Sequence, residues 1–142
     1  MHIDSYKKIQ YIDGHKINLI NVERNKIGKK QLVKELIPKK YLWFVNIGGY
    51  NPTSMQEKHE FGLVIASNKL EAKNIAKSKW LIGFKKKHKD DHASLEMLIS
   101  CDDCEPIKKI GIWEIELTPD NNNIIEENNY PDWYGYQKID EK

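Results

Sequence analysis

Apolar positions along this chain follow two rhythms. Tyr41-Leu42-Trp43-Phe44-Val45-Asn46-Ile47 is a near-continuous apolar run, which predicts a strand buried on both faces and ending at Gly48-Gly49. Tyr50 to Ser54 carries turn chemistry and reads as a loop, and residues 60–66 (EFGLVIA) predict the next strand. The period then becomes helical. Ala72, Ile75, Ala76 and Trp80 share one face while Lys69, Lys73 and Lys77 line another. Asn68 stands where a helix cap belongs, with Glu71 three residues on, and Gly83 is placed to stop the helix.

Further strands are predicted at 94–100 (SLEMLIS) and 110–117 (IGIWEIEL). In the second, Trp113, Ile115 and Leu117 alternate with Glu114 and Glu116. Near the N-terminus, residues 6–12 and 15–20 read as two short strands around Asp13-Gly14, a strong hairpin dipeptide. The expected organisation is an N-terminal hairpin (1–22), a lysine-rich linker (23–40), a main domain (41–120) and a polar tail (121–142). Within the tail, the cluster at 130–134 docks on the body. The fold class that follows is α+β: a β-β-α-β-β unit with a mainly antiparallel sheet and one main helix, preceded by the hairpin.

Composition narrows the function. The 142 residues suffice for one domain with a real core. No apolar run approaches the roughly 20 residues that a membrane span needs, and the N-terminus lacks the pattern of a signal peptide. Two cysteines exclude a disulfide scaffold and suit a reducing cytoplasm. The net charge of +2 conceals a gradient: residues 1–92 hold 19 basic and 9 acidic groups, residues 93–142 hold 4 and 12. Such polarity suits an anionic partner at one end, head-to-tail association of copies, or mutual neutralisation within one domain. Of the 23 basic residues only Arg24 is arginine, which argues against sequence-specific nucleic-acid recognition.

The chain also echoes itself. His2-Ile3-Asp4 followed by two short strands matches His88-Lys89-Asp90 followed by two strands, and Lys16-Ile17-Asn18-Leu19 matches Glu114-Ile115-Glu116-Leu117. The N-terminus then reads as the tail of a first unit whose β-β-α portion is missing. Trp43 to Pro52, Glu57-Lys58-His59, Leu63-Val64-Ile65-Ala66, Glu71-Ala72-Lys73 and His88-Lys89-Asp90-Asp91 together resemble a bacterial family known as domain of unknown function 1543. Members of that family often carry the unit in tandem. The resemblance covers about 41–117 well and 2–20 more weakly, and it implies a fold, with no activity attached. A lone hairpin is only marginally stable. The expectation is that it adds to a sheet edge of the same chain or of a second copy, giving a homodimer through the N-terminal hairpin.

Candidate chemistry gathers in two loops. Glu57 and His59 follow the glycine-rich loop, and His88, Asp90, Asp91 and His92 precede the third strand. If both loops lie at one end of the sheet, Glu57, His59, His88 and Asp91 form an acid–base site, or His59, His88 and Asp90 hold a divalent metal. The competing structural role is that these histidines fix turns and the carboxylates cap backbone amides. Lys73, Lys77, Lys86 and Lys87 are candidate anion ligands, or a solvated basic corner. Cys101-Asp102-Asp103-Cys104 has CxxC spacing but sits in an expected acidic loop, where it reads as an incidental pair. Gly48-Gly49 reads as a tight loop needing positive φ. Trp133, Tyr134 and Tyr136 lie in the acidic half, which argues against base stacking. The favoured function is a small interaction or structural module that self-associates; the alternatives are a metal-dependent or acid–base enzyme and a weak anion or nucleic-acid binder.

Overall fold

The computed structural model describes residues 1–24, 38–50, 57–80, 99–120 and 130–139. Its elements run β1 (His2–Tyr6), β2 (Tyr11–Ile12), β3 (His15–Asn21), β4 (Tyr41–Tyr50), β5 (Glu57–Ala66), α1 (Lys69–Lys79), β6 (Ile99–Ile107), β7 (Lys109–Ile110), β8 (Trp113–Pro119) and β9 (Trp133–Lys138). All described strand pairs are antiparallel, so the α+β class holds. Three sheets are present among the described residues, ordered β5-β4-β6, β2-β3-β8-β7 and β1-β9.

The apolar run at Tyr41 forms the central strand of the first sheet, as its two-faced hydrophobicity requires. On one face Trp43, Val45, Ile47, Val64, Ala66 and Cys104 pack with Ala72 and Ala76 of α1. The helix meets the sheet through alanines, so it approaches closely, and Ile75 and Trp80 close the rim. Gly62 makes room for that rim: a Cβ there would lie 2.6 Å from the Trp80 ring. Trp43 Nε1 donates to the Ala66 carbonyl at 2.9 Å, which satisfies the indole inside the core. Leu42 and Ile65, paired on the other face, are also buried, where β2 meets β5 and β8 meets β4.

The helix cap is as expected. Asn68 Oδ1 accepts from the Glu71 amide at 2.9 Å, while the Glu71 carboxylate accepts from the Ser67 amide at 2.7 Å. The Ser67 amide holds the Glu71 pKa below its ordinary value; burial opposes this, and Lys40 assists. Its end differs from expectation: α1 stops at Lys79, and Trp80 leaves in extended conformation. Gly83 lies outside the described residues.

Asp13 locks the hairpin sheet onto the main one. It sits at φ 49 in the β2–β3 turn, a conformation aspartate tolerates better than most residues. Its Oδ2 accepts from the Ile65 amide at 2.9 Å, and its Oδ1 pairs with the Lys79 ammonium. Partial burial lowers the Lys79 pKa.

Four boundaries correct the sequence expectations. Residues 6–12 are not one strand: β1 ends at Tyr6, and β2 keeps only Tyr11–Ile12. Residues 110–117 are not one strand either, because Gly111 at φ 58 turns the chain between β7 and β8. The stretch 101–104 is not a loop but the middle of β6, paired to β4. Gly48 and Gly49 continue β4 without positive φ, since both are held in ladders on either side. The predicted strand at 94–98 lies outside the described residues.

The hairpin β2–β3 pairs with β8 of the same chain, from His15↔Pro119 through Asn18↔Glu116 to Asn21↔Trp113. Of the two edges expected for it, the hairpin takes the one in its own chain. The tail cluster docks as β9, whose Trp133 pairs with Tyr6 and stacks on it, while the Asp132 carboxylate accepts from the Lys8 amide.

Candidate functional site: a histidine between two carboxylates

Glu57 and His59 are not loop residues; both lie in β5, alternating onto the face away from α1. His59 pairs with Gly48 of β4, and Gly48 pairs in turn with Ser100 of β6. Between Asn46 and Ile47 the β4–β6 register shifts, Asn46 facing Asp103 and Ile47 facing Cys101, so Asp102 is the extra residue of a bulge. That bulge aims the Asp102 carboxylate across β4. Its Oδ2 lies 3.1 Å from His59 Nδ1, and Glu57 Oε2 lies 3.4 Å from His59 Nε2.

Glycine at position 48 is what permits the crossing. A Cβ there would stand 3.0 Å from the imidazole Cε1 and 3.2 Å from Asp102 Oδ2. The glycine signal was legible in sequence but its reason was not: the requirement is the absence of a side chain, not positive φ. Asp102 was missed altogether, because a bulge inside a strand carries no local signature in a run such as Cys-Asp-Asp-Cys.

All three side chains are half-exposed, so the pairs are screened and each contributes less than about 1 kcal/mol to stability. Chemically, a proton on Nδ1 would be held by Asp102 and one on Nε2 by Glu57. Such an imidazole can pass a proton between a bound group and Glu57. Beside it, Asn46 Oδ1 is buried without a hydrogen-bond partner among the described residues, and the Phe44 and Phe61 rings lie 6.2 Å apart.

Tyr50 pairs with Glu57 and Ile99 with Gly49, at the end of the sheet that carries His59. His88, Asp90, Asp91, His92, Lys86 and Lys87 themselves lie outside the described residues. Among the described residues, no group of three or more histidines, cysteines, aspartates or glutamates is placed to hold a metal ion. Lys73 and Lys77 lie half-buried along α1, and Lys69 pairs with Glu105 at 3.7 Å. A shallow depression on α1 is lined by Asn68, Leu70, Glu71, Asn74, Ile75 and Ser78, none of them a predicted site residue.

The fold and this centre define a small antiparallel α+β protein with a histidine–carboxylate cluster on an open sheet face. Residues 54–104 match the family described as Domain of Unknown Function (DUF1543), the family that the sequence resembles. Among solved structures, the crystal structure of a protein Il1583 from Idiomarina loihiensis is similar, with a TM-score of 0.57 and 22% identity. That similarity covers 99% of this chain and 66% of the other, so this chain spans about two thirds of that relative's length. No curated protein matches. No described helix is long and apolar enough to cross a membrane.

Proposed function

We propose that the chain is an interaction module, built on an internal repeat, that self-associates through the β1–β9 ladder. The support begins with the two hairpins. Tyr11–Ile12, Asp13-Gly14 and His15–Asn21 correspond to Lys109–Ile110, Gly111-Ile112 and Trp113–Pro119. Their hydrogen bonds correspond as well. Ile17 N donates to Gln10 O, as Ile115 N does to Lys108 O; Val22 N donates to Ile112 O, as Asp120 N does to Gly14 O. A pseudo-twofold axis beside the Asn18–Glu116 pair accounts for all of this.

The same correspondence sets β1 against the Ser100–Cys104 part of β6, and sets β9, which follows β8, against β4, which follows β3. The antiparallel β1–β9 pair is then the counterpart of β6–β4, assembled from the two ends of the chain. The counterparts of β5 and α1 are absent from it among the described residues. What is left open is aromatic: Tyr6, Tyr134 and Tyr136 are 58%, 81% and 63% exposed. This exposed aromatic sheet is the observation that carries the reading. Tyr6 pairs with Trp133 and stacks on it, so it faces away from Tyr134, and the two exposed tyrosines of β9 offer on the order of 300 Å². A stable interface uses about 800 Å² per partner, so the expected dimer is weak and concentration-dependent. A second copy suits it because the basic and acidic halves complement each other. Both cysteines are free thiols, in keeping with a reducing cytoplasm.

Sedimentation equilibrium over a wide concentration range tests this. The wild type should shift from monomer toward dimer, and a Tyr134→Asp, Tyr136→Asp variant should stay monomeric while keeping its tryptophan fluorescence. A wild type that remains monomeric throughout, or a variant that dimerises equally well, overturns it. A second reading, acid–base chemistry at His59, is favoured by one observation, the carboxylate at each imidazole nitrogen. It requires Asp102 to set the tautomer of that ring.

A further inference from the structure

The bulge that aims Asp102 at His59 has a second effect on its own strand. Residues three apart in a regular strand point to opposite faces. Here the extra residue restores parity: Cys101 faces Ile47 and Cys104 faces Val45, two residues whose side chains share the core face under α1. Cys104 is a member of that core at 2% exposure, and Cys101 packs at its rim, partly open to solvent. Their partners on β4 are two positions apart, which sets the Cα atoms of the cysteines roughly 6.5–7 Å from each other. That is the upper end of the span a disulfide bridges, so a bond between them forms under strain and is readily reduced.

We propose that Cys101 and Cys104 are a redox-active dithiol that closes reversibly to an intrachain disulfide on meeting a low-molecular-weight disulfide such as oxidised glutathione. Cys101 is the residue the oxidant reaches. Its thiolate attacks one sulfur of glutathione disulfide, forming the mixed disulfide and releasing glutathione thiolate. The Cys104 thiolate then attacks the Cys101 sulfur, closing the ring and releasing a second glutathione. Two protein thiols are oxidised, one glutathione disulfide is reduced, and the two thiol protons end on the two glutathiones. Burial first, and the adjacent Cys101 thiol next, push the Cys104 pKa up, so the second step is the slow one and quickens with rising pH. In the reduced protein the Cys101 Sγ donates to the Asp103 carbonyl at 3.3 Å and the Cys104 Sγ to the Lys69 carbonyl at 3.8 Å. The second contact links the dithiol to the first turn of α1.

The test is incubation of the folded full chain with oxidised glutathione, acid quenching, and intact-mass and thiol counting. The wild type should lose two thiols with no glutathione retained, and recover both with reductant. Cys104→Ala should stop at a stable Cys101 adduct, and Cys101→Ser should resist the reagent. Tryptophan fluorescence confirms that each sample is folded. A wild type that accumulates the mixed disulfide without closing it overturns the proposal. So does one that closes only after urea unfolds it.

Discussion

Replacing Asp13 by alanine is the sharpest test of how the two larger sheets are held together. The aspartate accepts from the amide of Ile65, a residue only 3% exposed, and pairs with Lys79. Removing it leaves that amide without its charged acceptor, a loss of about 1.5–3 kcal/mol. The ion pair adds less than about 1 kcal/mol, because Lys79 is 43% exposed and screened. Alanine at φ 49 adds roughly 1 kcal/mol of strain that aspartate largely avoids. The sum is about 2.5–5 kcal/mol, or a drop of about 10 °C or more in Tm for a chain of this size. Asp13→Asn keeps an acceptor oxygen and tolerates the turn, so it should lose only about 1 kcal/mol. The assay is urea unfolding followed by tryptophan fluorescence, comparing midpoints at equal slope. If Asp13→Ala falls within 1 kcal/mol of wild type, or if Asn is as damaging as Ala, the clamp is not where the sheets are joined.

Two further outcomes are expected. The Glu71 pKa lies below its ordinary 4.5 because the Ser67 amide donates to the carboxylate. Its contribution to stability is therefore complete above that ordinary value and is lost as pH falls through the lowered native one. Acid unfolding of Glu71→Gln against wild type should show a difference that shrinks steadily below pH 4.5; a constant difference would exclude the link. At His59, nitrogen NMR of the neutral ring should show the Nδ1–H form dominant in wild type. That preference should be lost in Asp102→Asn and in Gly48→Ala, whose new methyl would press on the ring at 3.0 Å. The same tautomer ratio in all three proteins would leave Asp102 without a role there.

The pairing of a redox-sensitive strand with a histidine centre follows from one inserted residue. Asp102 both reaches His59 and turns Cys101 and Cys104 to one face. The β1–β9 ladder has a comparable economy, since one strand comes from near each end of the sequence. These features belong to different sheets, so the aspartate substitutions at Tyr134 and Tyr136 and the thiol chemistry can be measured independently.

What the sequence determined by itself was local and periodic. The apolar run at Tyr41–Ile47, the Ala72/Ala76 face, the Asn68–Glu71 cap and the Asp13-Gly14 turn were all legible, because each rests on neighbours within a few residues. The antiparallel α+β class followed from those pieces. Glu57 and His59 were legible as a pair, though placed in a loop. Only the tertiary structure decided the rest. That β1 would pair with β9 from the far end of the chain depends on contacts that no local window contains. That the Cys-Asp-Asp-Cys run would be a bulged strand depends on its register against β4. Gly48 shows the difference most plainly: the glycine was conspicuous in sequence, but its purpose, letting a histidine and an aspartate from two flanking strands meet above it, exists only once three strands lie side by side.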